Sequence, residues 1–530
     1  METSEPDEEF DPKDPEFYPH DQEPNYKIYF NFVQSAFKHG ISNNVATELA
    51  NSLLLDLNIN DPSFYVSEFK MRQARKNLVK KLSEDHLLAT RQVQCIGFDG
   101  KKSDVLQPRL QKDKMQEKIV MIDQASREYM THFITKNGKG ITIASHLKSE
   151  LDKFDSSSSI KAASSDGCVT NTGFRNGAIR NLELLLNRPL QYFICLLHLA
   201  ELVFCKLFMQ VDGSLKGPSS YSGPIGSVIC SGLSNGPMVQ FNAIPGEVPQ
   251  VDSEILQNDD TRKLYHLSHL VMNGPTNPTR EQLSAFSSPP GKVTSSRWLS
   301  TANNILNLYC QTVNPSSELV LMCKIIVNIY SPAIFLVKKN WQFYQSSLHF
   351  FNILKFSKAL LSFDYPDLYY DCVLKTLSNN AFSIHAENMV LCMLWDPNPA
   401  VNEEALSILE KLRHSEPTNE IRQFIPPKKI NFDADHYTQL INFDDFNADN
   451  CTFPPLLSDL TLDDIRAKKI PPSFLKICCH SQHVERFIAL STIASQTVSS
   501  QEFRHSFIIN KKVCKRKSTW SDCLEILKEK

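Results

Sequence analysis

Among the aspartates that are followed by glycine are Asp99 in IGFDGKK and Asp166 in SSDGCVTNTG. Carboxylate oxygens are hard donors, and two of them brought together suit Mg2+. Taken singly, an Asp-Gly pair is also an ordinary turn former. Glu485 in CHSQHVERFIALSTIAS sits beside the helically spaced Val484, Phe487 and Ile488, where it reads either as a solvated helix residue or as a carboxylate next to an apolar face. Glu387 in SIHAENMVL rivals it as an acid of interest, with Glu403 and Glu404 close behind. Cys195 and His198 in FICLLHLAEL are three residues apart. Two donors do not make a zinc site, and no second pair follows at finger-like spacing, so no structural zinc is expected. His198 reads as a contact to a phosphate or as a hydrogen-bonded core residue. Trp298, next to Arg297 in SSRWLSTANNIL, is either core or a surface on which an extruded base stacks. No GxxxxGK[ST] loop or HExxH helix occurs, which leaves nucleotide hydrolysis and zinc-protease chemistry without support.

The elements that would position these groups follow from periodicity. Between Tyr26 and Leu82 apolar residues recur at helical spacing, with Gly40 and Ser42 as stop and new N-cap. The third of these helices carries Lys70, Arg72, Arg75, Lys76, Lys80 and Lys81, an arrangement compatible with a helix-turn-helix on a phosphate backbone or with a solvated helix face. Strands are predicted over 91–99, 118–123 and 130–135, a helix over 141–154, a strand near 160–164, a helix over 173–186, and a strand over 190–196 running into a helix through Phe208. Residues 212–296, rich in Gly, Pro, Ser and Asn, predict long loops with one short helix near 264–272. Helices are expected near 299–312, 316–330, 343–361, 366–379, 384–395 and 400–413, then an irregular stretch over 415–472, then helices over 481–495, 503–509 and 521–528.

That order predicts an α/β plus α fold: a ribonuclease H-like mixed five-stranded sheet, interrupted by a large, mainly helical insertion and preceded by a small helical unit. The expected divisions are 1–25 (disordered acidic tail), 26–90 (helical unit), 91–211 (first part of the core), 212–470 (insertion) and 471–530 (C-terminal helical segment with a basic cluster). In such a sheet Asp99, ending the first strand, and Asp166, ending the fourth, converge at one edge, where two metal ions can be bridged.

Four features in this order resemble the hAT superfamily of cut-and-paste transposases, over residues 90–530: the two Asp-Gly motifs, Cys195-Leu-Leu-His198, Arg297-Trp298, and Val484-Glu485-Arg486. The resemblance implies a catalytic and metal-binding triad of Asp99, Asp166 and Glu485, with Glu485 preferred over Glu387 because the fold closes through a C-terminal helix. It implies Mg2+ or Mn2+ as cofactor and two-metal phosphoryl transfer on DNA, with water and then a DNA 3′-hydroxyl as nucleophile. DNA contacts would come from Arg297, Trp298, His198, Lys76, Lys80, Lys81, Lys515, Arg516 and Lys517, and the helical insertion would support a homo-oligomer. The chain departs from the family in having no cysteine in residues 1–90, hence no N-terminal BED zinc finger, which suits a domesticated descendant.

Charge and composition set the remaining expectations. The formal net charge of -3 hides a balance of -9 in residues 1–24, leaving +6 for the rest, so a near-neutral total does not exclude a DNA partner. The Pro-rich acidic stretch cannot bury enough apolar surface to offset its ordering entropy. Fourteen irregularly spaced cysteines in a long chain point to a reducing compartment, and the basic cluster near Lys515 to the nucleus. The apolar stretches 189–211 and 319–337 contain charged or helix-breaking residues and read as buried core, so neither a membrane nor a small-molecule substrate is expected. Two functional readings stay open: a transposase-derived DNA-binding protein retaining strand cleavage and transfer, or a catalytically silent nuclear module binding nucleic acid or protein.

Overall fold

The computed structural model describes residues 30–90, 92–103, 116–217, 220–232, 236–288, 291, 298–415, 420–498 and 500–515. The acidic stretch 1–24 and the helix expected over 521–528 lie outside them. Among the described residues the chain opens with α1 (Phe30–Lys38), α2 (Asn43–Asp56) and α3 (Glu68–Ala89), then β1 (Cys95–Ser103), β2 (Gln116–Asp123), β3 (Glu128–Thr135) and α4 (Gly140–Lys153). It continues with β4 (Ala162–Ser165), α5 (Val169–Thr172), α6 (Ala178–Leu186), β5 (Gln191–Ile194), α7 (Leu196–Asp212), β6 (Leu215–Gly217), β7 (Ser220–Tyr221), α8 (Pro224–Ser231), α9 (Asp259–Asn273) and α10 (Arg280–Ser287). The helical stretch comprises α11 (Trp298–Gln311), α12 (Ser317–Ile325), α13 (Ser331–Lys339), α14 (Ser346–Leu361), α15 (Lys375–Asn379), α16 (Ala386–Leu394) and α17 (Pro399–His414). Short α18 (Leu462–Arg466) and α19 (Pro472–Leu475) precede α20 (Gln482–Thr497) and α21 (Gln501–Lys515).

Five strands form one mixed sheet in the order β3-β2-β1-β4-β5, and β6 with β7 form a separate two-stranded ribbon. The alternation of strands and helices follows the periodicity of the sequence. One detail differs: Asp99 does not end its strand, because β1 runs on to Ser103 and pairs Asp99 with Val120 of β2. Gly100 continues the strand as an ordinary extended residue, paired with Ile119 of β2.

The chain divides into two compact units, one of residues 1–123, 127–160 and 482–530, the other of 124–126 and 161–481. In the first, the antiparallel strands β1, β2 and β3 are joined by α1–α4, α20 and α21. Its core draws together Val33, Phe37, Met71, Leu78, Val79, Tyr129, Val484, Phe487, Phe507 and Ile508. Phe37 meets Phe503 and Phe507 edge to face. The N-terminal helices therefore share a core with the two last helices, a closure between distant segments that local periodicity cannot signal. Gly40 (φ +69°) and the Ser42 side chain, which accepts the Val45 N–H, form the expected stop and cap between α1 and α2.

In the second unit β4 and β5 are parallel, with Ser164 opposite Phe193, and α5 and α6 make the crossover between them. The region 212–296 is more structured than its Gly and Pro content predicts. Pro224 occupies the first turn of α8, where its missing N–H costs nothing, and the Asp212 carboxylate accepts the N–H groups of Ile225 (2.8 Å) and Gly226 (2.7 Å). Thr279 and Gln282 form a capping box that starts α10. The stretch Ser317–Lys339 is the one helix among the described residues long and apolar enough to cross a membrane, and it is mostly buried within the protein.

A group of bases lies buried in the first unit. The Tyr129 hydroxyl bonds His132 Nδ1 (2.5 Å) and His505 Nδ1 (3.1 Å), and the Lys118 ammonium donates to Ser491 O (3.0 Å) and to Ser495 Oγ. Burial pushes Lys118 down to about 8, with help from Arg504, and pushes His505 down to about 3, with help from His86 and Lys153. His132 is driven well below its ordinary value by burial and then by its neighbours His505, Lys118 and Arg504. Because both imidazoles bind protons more weakly folded than unfolded, stability is lost as pH falls from about 6.5 toward the folded values. Urea denaturation at about pH 7 and about pH 4.5 should show this loss, and His505→Gln should shrink it by about 1–3 kcal/mol; an unchanged loss in the variant refutes the assignment.

Candidate functional site

In the first unit, Asp99 is partly buried on β1, and its Oδ1 accepts the N–H of Gly100 at 2.7 Å. Helix α20 packs on β1 and β2 through an apolar face that includes Val484, Phe487, Ile488 and Ala494. Its first turn leaves Glu485 and Arg486 exposed. The helix bearing Glu485 thus rests on the strand bearing Asp99.

In the second unit, Asp166 follows β4 directly. Its Oδ1 accepts the Asn171 side-chain amide (2.7 Å) and the Cys168 N–H (3.2 Å), which folds the chain back toward α5 and holds the carboxylate in one orientation. Gly167, His198, Asn380 and Ser383 line a narrow cleft beside it. A Cβ on Gly167 would meet Asn380 Oδ1 at 3.4 Å and His198 Cδ2 at 3.6 Å, so imidazole and amide both border this turn. Burial lowers the pKa of His198, and the Asp166 charge opposes that shift. A neutral imidazole next to a carboxylate can donate or accept a hydrogen bond without carrying charge. Cys195 is engaged elsewhere: its Sγ accepts the Ser481 N–H at 3.3 Å.

Glu387, the rival acid, is committed to the core. Arg422 donates from Nε to Glu387 Oε1 (2.6 Å), from Nη2 to Glu387 Oε2 (2.8 Å) and to Leu190 O (2.7 Å), and from Nη1 to Glu183 Oε1 (2.5 Å). Glu183 also accepts the Leu190 N–H and the Tyr192 hydroxyl, while the Thr452 N–H reaches Glu387. All three charged side chains are fully buried. Burial by itself would depress the Arg422 guanidinium, but Glu387 and Glu183 hold it above its usual value. A carboxylate occupied on both oxygens by a buried guanidinium has little left for a metal ion.

Trp298 is also core. It is 4% exposed, lies parallel to the Tyr221 ring at 6.0 Å and meets Phe204 edge to face, so this placement offers no face to a base. Arg297 lies outside the described residues. On α3, Lys76, Lys80 and Lys81 are exposed, Lys81 with its ammonium 5.2 Å from the Phe30 ring. Their neighbours are spent within the unit: Arg72 pairs with Glu68 (2.9 Å), and Arg75 donates to Ile41 O (2.7 Å). Lys515 ends α21, and Arg516 and Lys517 lie outside the described residues.

One group of donors escaped the sequence reading. Cys478, His480 and His483 offer ligand atoms that all lie within 4.8 Å of one another. The signal was there as Cys-x-His-x-x-His, but a search for paired, finger-like spacings passes over a run this short. Comparison of the chain with protein-family models and with curated proteins returns no match.

The Arg422 network makes a direct prediction. Arg422→Met leaves two buried carboxylates without their cation and should destabilise the second unit by about 3–5 kcal/mol in chemical denaturation. Glu485→Gln, on an exposed helix position, should change stability by less than about 0.5 kcal/mol.

Proposed function

We propose that this chain is a transposase-derived DNA-binding protein with a ribonuclease H-like core. The observation that carries the reading is the sheet: a three-stranded antiparallel meander followed by a parallel pair with a helical crossover, with one aspartate on β1 and another directly after β4. Asp99, Asp166 and Glu485 are the residues that would hold Mg2+ or Mn2+, and such ions supply charge neutralisation at a phosphodiester and a more acidic attacking hydroxyl. Asn171 and the Cys168 N–H orient Asp166 through Oδ1. His198 borders the same turn as a neutral hydrogen-bonding group for a phosphate oxygen. Lys76, Lys80 and Lys81 supply positive charge for the backbone of DNA. A nuclear location and a self-associated form belong to the same reading.

A catalytically silent, binding-only form is favoured by one observation: the burial of Trp298 removes the base-stacking face that the resemblance implies. The two are separated by assaying the full chain with Mg2+ or Mn2+ on duplex DNA. Strand nicking or joining that Asp166→Asn abolishes supports the enzyme; activity unchanged in that variant removes the carboxylate site. Binding should weaken with salt in either case, and neutralising Lys76, Lys80 and Lys81 to Gln should lower the salt slope by about 2–3. Absence of DNA binding at low salt refutes the DNA-binding reading and leaves a protein-interaction role.

A further inference from the structure

The cleft beside Asp166 lies wholly within the second unit and is bordered by Gly167, His198, Asn380 and Ser383, with carbon walls from Ile194 and Leu199. It leaves about 10 Å³ for the centre of a water-sized molecule, room for one oxygen atom and its hydrogens. The position where a Gly167 side chain would stand is open, 3.4 Å from Asn380 Oδ1 and 3.6 Å from His198 Cδ2. Having no Cβ, this glycine keeps the space between amide and imidazole free.

Each polar group on the cleft calls for the same occupant. Asn380 Nδ2 donates to Thr376 O (2.9 Å), which leaves Oδ1 as the atom turned to Gly167. Ser383 is 4% exposed, its carbonyl accepts Ser347 Oγ (2.8 Å), and its own Oγ has no hydrogen-bond partner. A buried hydroxyl left unmet is costly, and an ordered water is the usual remedy. Burial keeps His198 neutral near pH 7, so one ring nitrogen donates and the other accepts. An occupant facing Asn380 Oδ1 and an imidazole acceptor must supply hydrogens as well as lone pairs. Water does both, whereas a phosphate oxygen only accepts.

We propose that this cleft seats the attacking water of a phosphodiester hydrolysis, held by Asn380 Oδ1 and Ser383 Oγ, with the acceptor nitrogen of His198 taking its proton. This role rests on the reading of Asp166 as a phosphoryl-transfer carboxylate, and it brings to that site two residues that follow α15, Asn380 and Ser383. The water oxygen bonds to phosphorus as its proton passes to His198. The bond from phosphorus to the 3′-oxygen breaks with its electron pair on that oxygen, which solvent protonates. The donor nitrogen of His198 remains for a phosphate oxygen. A DNA 3′-hydroxyl is carried in on its own strand and arrives positioned, whereas a free water needs the cradle.

The test compares nicking with strand joining from a pre-cut 3′-hydroxyl end, using the full chain with Mg2+ or Mn2+ on duplex DNA. Asn380→Leu and Gly167→Ala should each slow nicking at least about tenfold while slowing joining less than about threefold. Structural damage would slow both reactions alike. Should Asn380→Leu fail to fold, Ser383→Ala, which removes one buried oxygen, should show the same selective loss. A high-resolution crystal structure of the wild type should show one water within about 2.5–3.0 Å of Asn380 Oδ1, absent from Gly167→Ala. An empty cleft, unchanged nicking in these variants, or equal loss of nicking and joining overturns the proposal and leaves the enzyme reading standing. A wild type that neither nicks nor joins DNA, with the water in place, refutes the enzyme reading and the nucleophile role with it.

Discussion

A buried guanidinium must be answered by charge and hydrogen bonds, and Arg422 sets this constraint on the second unit. Its donors reach Glu183 on α6, Glu387 on α16 and the carbonyl of Leu190 just before β5. One side chain from an irregular segment thereby fixes a crossover helix, an insertion helix and the approach to an edge strand. The aromatic surroundings reinforce the arrangement: Tyr192 stacks on Phe424 at 4.4 Å, and His385 on the same ring at 4.0 Å. Asp166 leaves the strand paired with β5, so the geometry of its turn is inherited from this network.

The first unit is held by a different device. Its core joins the three N-terminal helices to the last two helices over one face of the meander. Among the apolar groups it also buries imidazoles and an ammonium at a cost in solvation, visible in the depressed values of His132, His505 and Lys118. These bases are kept by specific oxygen and nitrogen partners, which fixes the register of α20 on β2 through the bond from Lys118 to Ser491. The same register sets which face of α20, and therefore which side chain of its first turn, is left to solvent.

Two kinds of donor set coexist in the chain. Asp99, Asp166 and Glu485 are hard oxygen donors, whereas Cys478, His480 and His483 combine sulfur and nitrogen. The exposed lysines of α3 add a third element, positive charge whose neighbours are already paired with Glu68 or with backbone carbonyls.

Local order along the chain was legible because it rests on short-range physics. Alternation over the strands, helical spacing from Trp298 to His414, and the Gly40–Ser42 stop and cap all depend on residues within one or two turns of each other. The same logic failed where local residues have two uses: Gly100 continued a strand, and Pro224 opened a helix. What tertiary structure alone decided is which side chains are spent. Glu387 and Glu485 are equally acidic in sequence, but Glu387 is buried against an arginine thirty-five residues away, whereas Glu485 lies on an exposed helix position. Trp298 reads in sequence as core or as a stacking surface, and Phe204, Phe208 and Tyr221 around it make it core. Burial and pairing are properties of residues distant in sequence, so residue type and spacing name the donors, and the packed fold determines which of them remain to act.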